Sequence, residues 1–158
     1  MFIKNFLRSA AVVAALVMTI STAFGHVTIQ PKQSTAGATE TYTMRVPTEK
    51  FVPTVRIEVE FPSGLNVTSF ESKPGWKIEE KKNATGKLAG AILTGSIPTG
   101  ESTSFQFMAQ NPTEEGTLSW KVIQVYDDGS KSEWTGTPGS RTPAPSVELK
   151  KPAANSVK

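Results

Sequence analysis

Apolar side chains recur at every second position over most of the chain after residue 38. The clearest case is Thr54–Phe61, where Val55, Ile57, Val59 and Phe61 alternate with charged residues. Such alternation is typical of a strand that has one packed face and one solvated face. Gly, Pro, Asn and Asp separate these segments, and a helical period is nowhere sustained. The pattern predicts an all-β fold, an antiparallel immunoglobulin-like β-sandwich of about eight strands.

The sequence of the C-terminal half predicts how two neighbouring strands pair with each other. Thr117–Tyr126 is predicted to be the longest strand, and residues 127–130 a tight hairpin with an Asp-Gly pair at its tip. If the first and last residues of this turn pair with each other, Gln124 lies opposite Glu133 and Trp134 lies on the other face of the hairpin. Gln124 could orient groups of a site, but the favoured expectation is an ordinary outward-facing polar residue.

The start of the chain has the pattern of a secretory signal. Lys4 and Arg8 supply a charged beginning, residues 10–20 an apolar run, and Ala23-Phe24-Gly25 a small-x-small cleavage site. The apolar run is about eleven residues long, shorter than the roughly 20 residues of a spanning helix. The sequence therefore predicts three parts: a signal peptide over residues 1–25, a β-sandwich domain over residues 26–149 and a polar C-terminal tail over residues 150–158.

Charge and cysteine content exclude several classes of function. The formal charge of +3 includes Lys4 and Arg8, so the chain after residue 25 has 15 basic and 14 acidic side chains. No Lys/Arg cluster alternates with aromatic residues, which argues against a nucleic-acid partner. The chain has no cysteine, which excludes zinc–thiolate, iron–sulfur and blue-copper sites. We expect a protein of the periplasm or the extracellular cell envelope, with no transmembrane span after signal cleavage.

Cleavage after Gly25 makes His26, the single histidine of the chain, the first residue of the mature protein. Its free amine and its imidazole Nδ1 can then close one chelate ring around a metal ion. Copper(II) fits best, because it prefers nitrogen and oxygen donors in tetragonal geometry and heads the divalent affinity order. Cleavage after Ala23 would instead place His26 third, where amine, two amides and imidazole can also hold copper(II). The alternative is an ordinary solvated histidine.

Several short motifs carry a resemblance to a known family. They are His26-Val27-Thr28-x-x-Pro31 after a signal, Pro74-Gly75-Trp76, Pro98-x-Gly100-Glu101 before Phe105-x-Phe107, and Tyr126-x-Asp128-Gly129-x-x-x-Glu133-Trp134-Thr135-Gly136. In this order they resemble the YcnI-like copper-binding domain family over nearly all of residues 26–149. The resemblance implies a β-sandwich that binds one copper(II) ion by a monohistidine brace, and a place in copper homeostasis beside copper-transporting membrane proteins.

The same resemblance implies roles for individual residues. The brace falls on His26, and the tryptophan associated with the copper site falls on Trp134. A carboxylate near the copper is also implied, and Glu101 and Glu133 are the two candidates. Trp134 has a competing role in the core of the sandwich. Strand alternation directs Glu133 away from Trp134.

Together these observations predict an exported copper(II)-binding protein that is not an enzyme. It would store the ion or pass it to a membrane copper transporter or another envelope copper protein. One alternative is a metal-free adhesion or binding module of the cell envelope, because sandwich folds host many binding functions. The other is a copper-dependent oxidative enzyme, but a full histidine brace needs a second imidazole and the chain has none.

Overall fold

The computed structural model describes residues 25–154, which form twelve strands and no helix. Residues 1–24 and 155–158 lie outside the described residues. They comprise the predicted signal peptide except Gly25, and the last four residues of the predicted tail. Nothing within residues 25–154 is a helix long and apolar enough to cross a bilayer. The strands are β1 (Thr28–Gln30), β2 (Gln33–Thr35), β3 (Thr39–Pro47), β4 (Thr54–Glu60), β5 (Asn66–Phe70), β6 (Lys77–Lys82), β7 (Leu88–Ile97), β8 (Ser102–Gln110), β9 (Gly116–Ser119), β10 (Lys121–Tyr126), β11 (Lys131–Trp134) and β12 (Ser146–Lys150).

Nine of these strands form one curled antiparallel sheet that folds into two leaves. One leaf has the order β1-β3-β8-β5 and the other β7-β4-β10-β11, with β6 on the free side of β7. The leaves join where Val67 of β5 pairs with Leu88 of β7. The remaining strands form a small sheet in which β12 lies between β2, to which it is parallel, and β9. The predicted antiparallel sandwich is confirmed, with twelve strands instead of about eight.

The predicted buried face of Thr117–Tyr126 is correct, but the prediction that these residues form one continuous strand is wrong. Leu118, Trp120 and Val122 are all buried, as their alternation predicts. Residues 116–126 nevertheless form two strands, because the backbone N–H of Trp120 donates to Pro145 O at 3.0 Å and the chain passes there from the small sheet to the large one. Alternation specifies which side chains are buried, whereas pairing depends on distant strands.

An aromatic cluster fills the space between the leaves. The ring centroid of Tyr42 lies 5.5 Å from that of Trp120 and 5.6 Å from that of Phe107, and Phe107 also lies 5.6 Å from Phe61. Burying each such side chain stabilises the fold by roughly 1.5–3 kcal/mol. This packing makes the two leaves a rigid support for the ends of the strands.

The strand β3 runs the length of the sandwich and defines its two ends. The register of β1 against β3, continued by two residues, places His26 beside Pro47. The turn after β7 meets the same end, because Thr48 N–H donates to Glu101 O at 2.8 Å and Gly100 N–H donates to Thr48 O at 2.9 Å. We call this the His26 end.

The C-terminal strand leaves the sandwich at the opposite end. Ala36 N–H donates to Lys150 O at 2.9 Å, shortly before β3 begins at Thr39. His26 and Lys150 therefore lie at the two ends of β3.

Candidate metal centre

A cleft of about 320 Å³ opens at the His26 end. Its lining includes His26, Glu49, Lys50, Tyr126, Trp134 and Arg141. A groove of about 380 Å³ crosses the outer face of β4 and β10, but it contains no histidine, and its Lys121 Nζ pairs with Glu60 at 3.0 Å. The cleft at the His26 end is therefore the place where metal-binding side chains meet.

His26 lies two residues before β1 begins at Thr28, and it is exposed to solvent. Its ring centroid lies 5.8 Å from that of Trp134, with an angle of 57° between the ring planes. The two residues that the sequence analysis singled out therefore lie next to each other, with the accessible imidazole of His26 near the buried indole of Trp134.

Trp134 belongs to the core and to the cleft at once. It is 5% exposed and packs with the apolar core, while one part of its ring system lines the cleft. Its Nε1–H donates to Gln124 Oε1 at 3.1 Å. Trp134 therefore packs in the core and lines the cleft with one side chain, and its association with a copper ion stays a prediction.

Gln124 holds this indole and the end of β3 together. It is completely buried, and its Nε2 donates to Pro47 O at 2.8 Å and to Thr54 Oγ1 at 2.6 Å. Both amide hydrogens and the amide oxygen therefore have partners, as a buried amide requires. The predicted outward-facing, solvated role of Gln124 is wrong.

The hairpin that carries these residues closes one position away from the predicted register. Tyr126 N–H donates to Ser130 O at 2.9 Å, which leaves a three-residue loop over residues 127–129. Gly129 has a φ of 79°, a left-handed conformation that glycine adopts without strain. A loop of this kind ranks next after the two-residue turn in hairpins.

This shift of one residue reverses which side chains share a face. Gln124 lies opposite Ser132, whereas the prediction placed it opposite Glu133. Gln124 and Trp134 consequently point to the same side of the sheet, inward, and Glu133 points outward into solvent.

A β-bulge brings Thr54 into the same polar network. The pairings of β4 with β7 and with β10 both pass directly from Thr54 to Arg56, so Val55 has no partner in either neighbouring strand. Thr54 is therefore fully buried, whereas Val55, predicted to face the core, is partly exposed. The Thr54 Oγ1 lies 2.6 Å from the Thr48 Oγ1, which ties the segment leading to Glu49 to the network.

Glu49 supplies the carboxylate of the cleft. A Cβ built on Gly25 would lie 3.1 Å from Glu49 Oε1, so this oxygen is next to the peptide bond that precedes His26. Glu49 is an exposed residue, and the partial desolvation of its carboxyl group raises its pKa, while its interaction with His26 lowers it. Glu49 in turn contributes to raising the pKa of Tyr126, whose main cause is burial of the phenol.

Neither carboxylate proposed from the sequence lines the cleft. Glu101 is exposed in the turn after β7, where only its backbone carbonyl contacts Thr48. Glu133 is exposed on the outer face of β11, opposite Ile123. The sequence does not single out Glu49, which lies in the connection between β3 and β4. It comes close to His26 only because β1 pairs with β3.

The donors of the cleft limit the metal it could hold. Within residues 25–154, no three His, Asp or Glu side chains come together. The cleft offers one imidazole and one carboxylate, so a tight tetragonal site needs a main-chain donor as well. The nitrogen of His26 is well placed, because freeing it from Gly25 would give an amine next to Glu49.

The comparisons with known proteins identify a family and relatives. Residues 26–156 match the model of a domain of unknown function, DUF1775. The chain is 36% identical over 135 residues to the copper-binding protein CutI of Bacillus subtilis (strain 168), an alignment that covers 84% of this chain and 66% of that relative.

Solved structures resemble the fold. A protein from Nocardia farcinica with an immunoglobulin-like fold matches at a TM-score of 0.69 and 28% identity, over 78% of this chain and 97% of that one. A cohesin module from a Clostridium perfringens glycoside hydrolase matches at a TM-score of 0.55 and 14% identity, over 80% of this chain and 96% of the module. At that identity the cohesin match concerns the fold alone.

Proposed function

Because this chain belongs to the DUF1775 family, whose YcnI-like motifs its sequence carries, we propose that it is an exported protein that binds one copper(II) ion at its mature N terminus. The observation that carries the proposal is the meeting of His26, Glu49 and Trp134 in one cleft. The Bacillus relative is a copper-binding protein, which supports the choice of metal. The proposed role is binding and transfer of the ion, without catalysis.

The ligand set that we propose combines one residue with one carboxylate. Removal of residues 1–25 as a signal peptide would free the amine of His26, and that amine and Nδ1 would form the brace. The carboxylate of Glu49 would supply an oxygen donor. Copper(II) accepts this mixture of nitrogen and oxygen donors in a tetragonal arrangement. Binding releases protons from the amine and the imidazole, so the affinity falls as the pH is lowered.

Trp134 would act as a wall of the site. Its indole N–H is occupied by Gln124 at 3.1 Å, so the part of the ring system that lines the cleft is apolar. An apolar surface next to a metal limits solvent access and tunes its redox behaviour. The network through Gln124 would keep this wall at a fixed distance from the imidazole.

The exposure of His26 favours exchange of the ion over permanent burial. An ion bound by one exposed residue and one carboxylate retains open coordination positions, through which a partner's ligands can enter. We therefore propose that the protein, in the periplasm or the cell envelope, stores copper or passes it to a membrane copper transporter.

The test uses protein that begins at His26, its intact mass verified, and copper(II) titration followed by electron paramagnetic resonance. We expect one ion per chain with nitrogen hyperfine structure. His26→Ala removes the single imidazole of the chain and should lower the affinity by about 100-fold or more, roughly 2.7 kcal/mol. Acetylation of the amine in the unmodified sequence should produce a comparable loss.

The carboxylate is tested by a matched pair of variants. Glu49→Gln should weaken copper(II) binding about tenfold, and Glu101→Gln should leave it unchanged, because Glu101 lies at the same end of the molecule but outside the cleft. Undiminished binding in His26→Ala would refute the proposed site. Equal losses in the two glutamine variants would remove Glu49 from the ligand set.

A further inference from the structure

Two cationic side chains share the cleft with His26 and Glu49. One is Lys50, whose Nζ donates to Ser130 Oγ at 3.0 Å and lies 4.3 Å from the centroid of the Tyr126 ring. Lys50 therefore already has a hydrogen-bond acceptor and an aromatic face as partners. It adds a positive charge to the cleft and is already engaged by these two groups.

Arg141 is the second cation, and it has no such partner. Among the five ion pairs within residues 25–154 none involves its guanidinium. The loop that carries it is fixed to the end of β11, because Gly136 N–H donates to Thr142 O at 3.0 Å and Ala144 N–H donates to Gly136 O at 2.9 Å. These bonds fix the backbone on both sides of Arg141, an exposed residue that lines the cleft and whose guanidinium carries five N–H donors.

Occupation by copper(II) would leave the cleft with an excess of positive charge. The amine and the imidazole bind as neutral groups, so the ion contributes +2, Glu49 contributes −1, and Lys50 and Arg141 contribute +1 each. A concave surface with one sign of charge concentrates counter-ions. The neutral hydroxyls of Tyr126 and Ser132, 2.9 Å apart, add hydrogen-bonding groups to the same cleft.

We propose that Arg141 binds the carboxylate of a small organic acid in this cleft, beside the copper site. The inference rests on the proposed function. The planar fork of a guanidinium matches the two oxygens of a carboxylate. A cleft of about 320 Å³ is of the size that holds small ligands.

A carboxylate bound in this way stabilises the copper-loaded protein, and by linkage copper stabilises the bound carboxylate by the same factor. The test is titration of the copper-loaded protein with acetate at constant ionic strength, with sodium perchlorate as the balancing salt. Changes in the paramagnetic resonance parameters and in the visible absorption of copper(II) report occupancy. The wild type should give a saturable change.

The variants are Arg141→Ala, Arg141→Lys and, as a matched control, Lys131→Ala. Lys131 is an exposed cation on β11 that does not line the cleft. Arg141→Ala should weaken the apparent acetate affinity about tenfold, Arg141→Lys should be intermediate, and Lys131→Ala should match the wild type. Without acetate, Arg141→Lys and Lys131→Ala should keep the copper(II) affinity within about twofold of the wild type, whereas Arg141→Ala, which removes a positive charge near the ion, should not weaken it.

Two results separate the inference from the function on which it rests. If copper(II) binds with nitrogen coordination but acetate acts equally on all variants, or acts no differently from perchlorate, the carboxylate site is refuted and the copper site stands. If the wild type binds no copper(II), the proposed function itself fails, and the inference with it. Circular dichroism melts of each variant verify folding, and Arg141→Lys carries the test should Arg141→Ala unfold.

Discussion

Replacing Gln124 by leucine should destabilise the protein far more than expected for the outward-facing residue that the sequence predicts. Gln124 is completely buried, accepts a hydrogen bond from Trp134 Nε1 at 3.1 Å, and donates to Pro47 O at 2.8 Å and Thr54 Oγ1 at 2.6 Å. Leucine has a similar volume but can replace none of these three bonds. The indole N–H is then left in the core without an acceptor.

The magnitude follows from the three lost bonds. An orphaned buried N–H costs about 1–3 kcal/mol, and each of the other two bonds contributes about 0.5–1.5 kcal/mol. Burying an apolar side chain in place of an amide offsets about 1 kcal/mol of this loss. We therefore expect Gln124→Leu to lower the free energy of unfolding by about 1–5 kcal/mol.

Urea unfolding of the metal-free protein, followed by circular dichroism, measures this loss. With a slope of about 2 kcal/mol per M, the middle of the usual range, the midpoint should fall by roughly 0.5–2.5 M at unchanged slope. The matched control is Gln106→Leu, because Gln106 is exposed on β8 and makes one long bond of 3.5 Å to Thr43. This control should change stability by less than about 0.5 kcal/mol. A Gln124→Leu midpoint equal to that of the control would refute the reasoning.

Two further predictions concern side chains at the same end of the molecule and in the core. Trp134→Phe should destabilise the protein by about 1–2 kcal/mol more than Trp120→Phe, because the N–H of Trp134 has a buried acceptor and that of Trp120 has none; equal urea midpoints would contradict this. Hydrogen bonds from the hydroxyl and the backbone N–H of Ser130 lower the pKa of Asp128 below its usual 3.8, so its carboxylate stabilises the hairpin above about pH 4, and this contribution is lost as the pH falls through the folded pKa. The stability difference between the wild type and Asp128→Ala should accordingly shrink as the pH is lowered below about 4 in urea titrations, and a difference independent of pH would count against that hydrogen bonding.

The strand faces could be predicted because period-two alternation depends on local chain geometry. Ile57 and Val59 are buried as expected. The alternation fails at Val55, where the bulge turns Thr54 inward, because a bulge is determined by how two neighbouring strands pair. The predicted hairpin register was wrong for a related reason. The Asp-Gly pair fits both a two-residue and a three-residue loop, and the strand registers that these two loops produce differ by one position.

The candidate site also combines a residue that could be predicted from the sequence with one that could not. His26 could be identified from sequence, since it is the single histidine and follows a cleavage motif. Glu49 could not, because it is 23 positions away from His26 in the chain and becomes its neighbour only when β1 pairs with β3. Glu101 lies at the correct end of the sandwich, but its side chain points into solvent, a detail that motif spacing does not contain.

The positions of His26 and Lys150 at opposite ends of β3 decide how this molecule can be handled. The nine residues of β3 separate His26 from the exit of the chain after Lys150, a span of roughly 27 Å at about 3.4 Å per residue. A linker or affinity tag fused behind the last strand would therefore project away from the cleft, so the protein could be attached to a surface with its amino-terminal face free. An added residue ahead of His26 would instead occupy the very nitrogen on which the proposed copper chemistry depends.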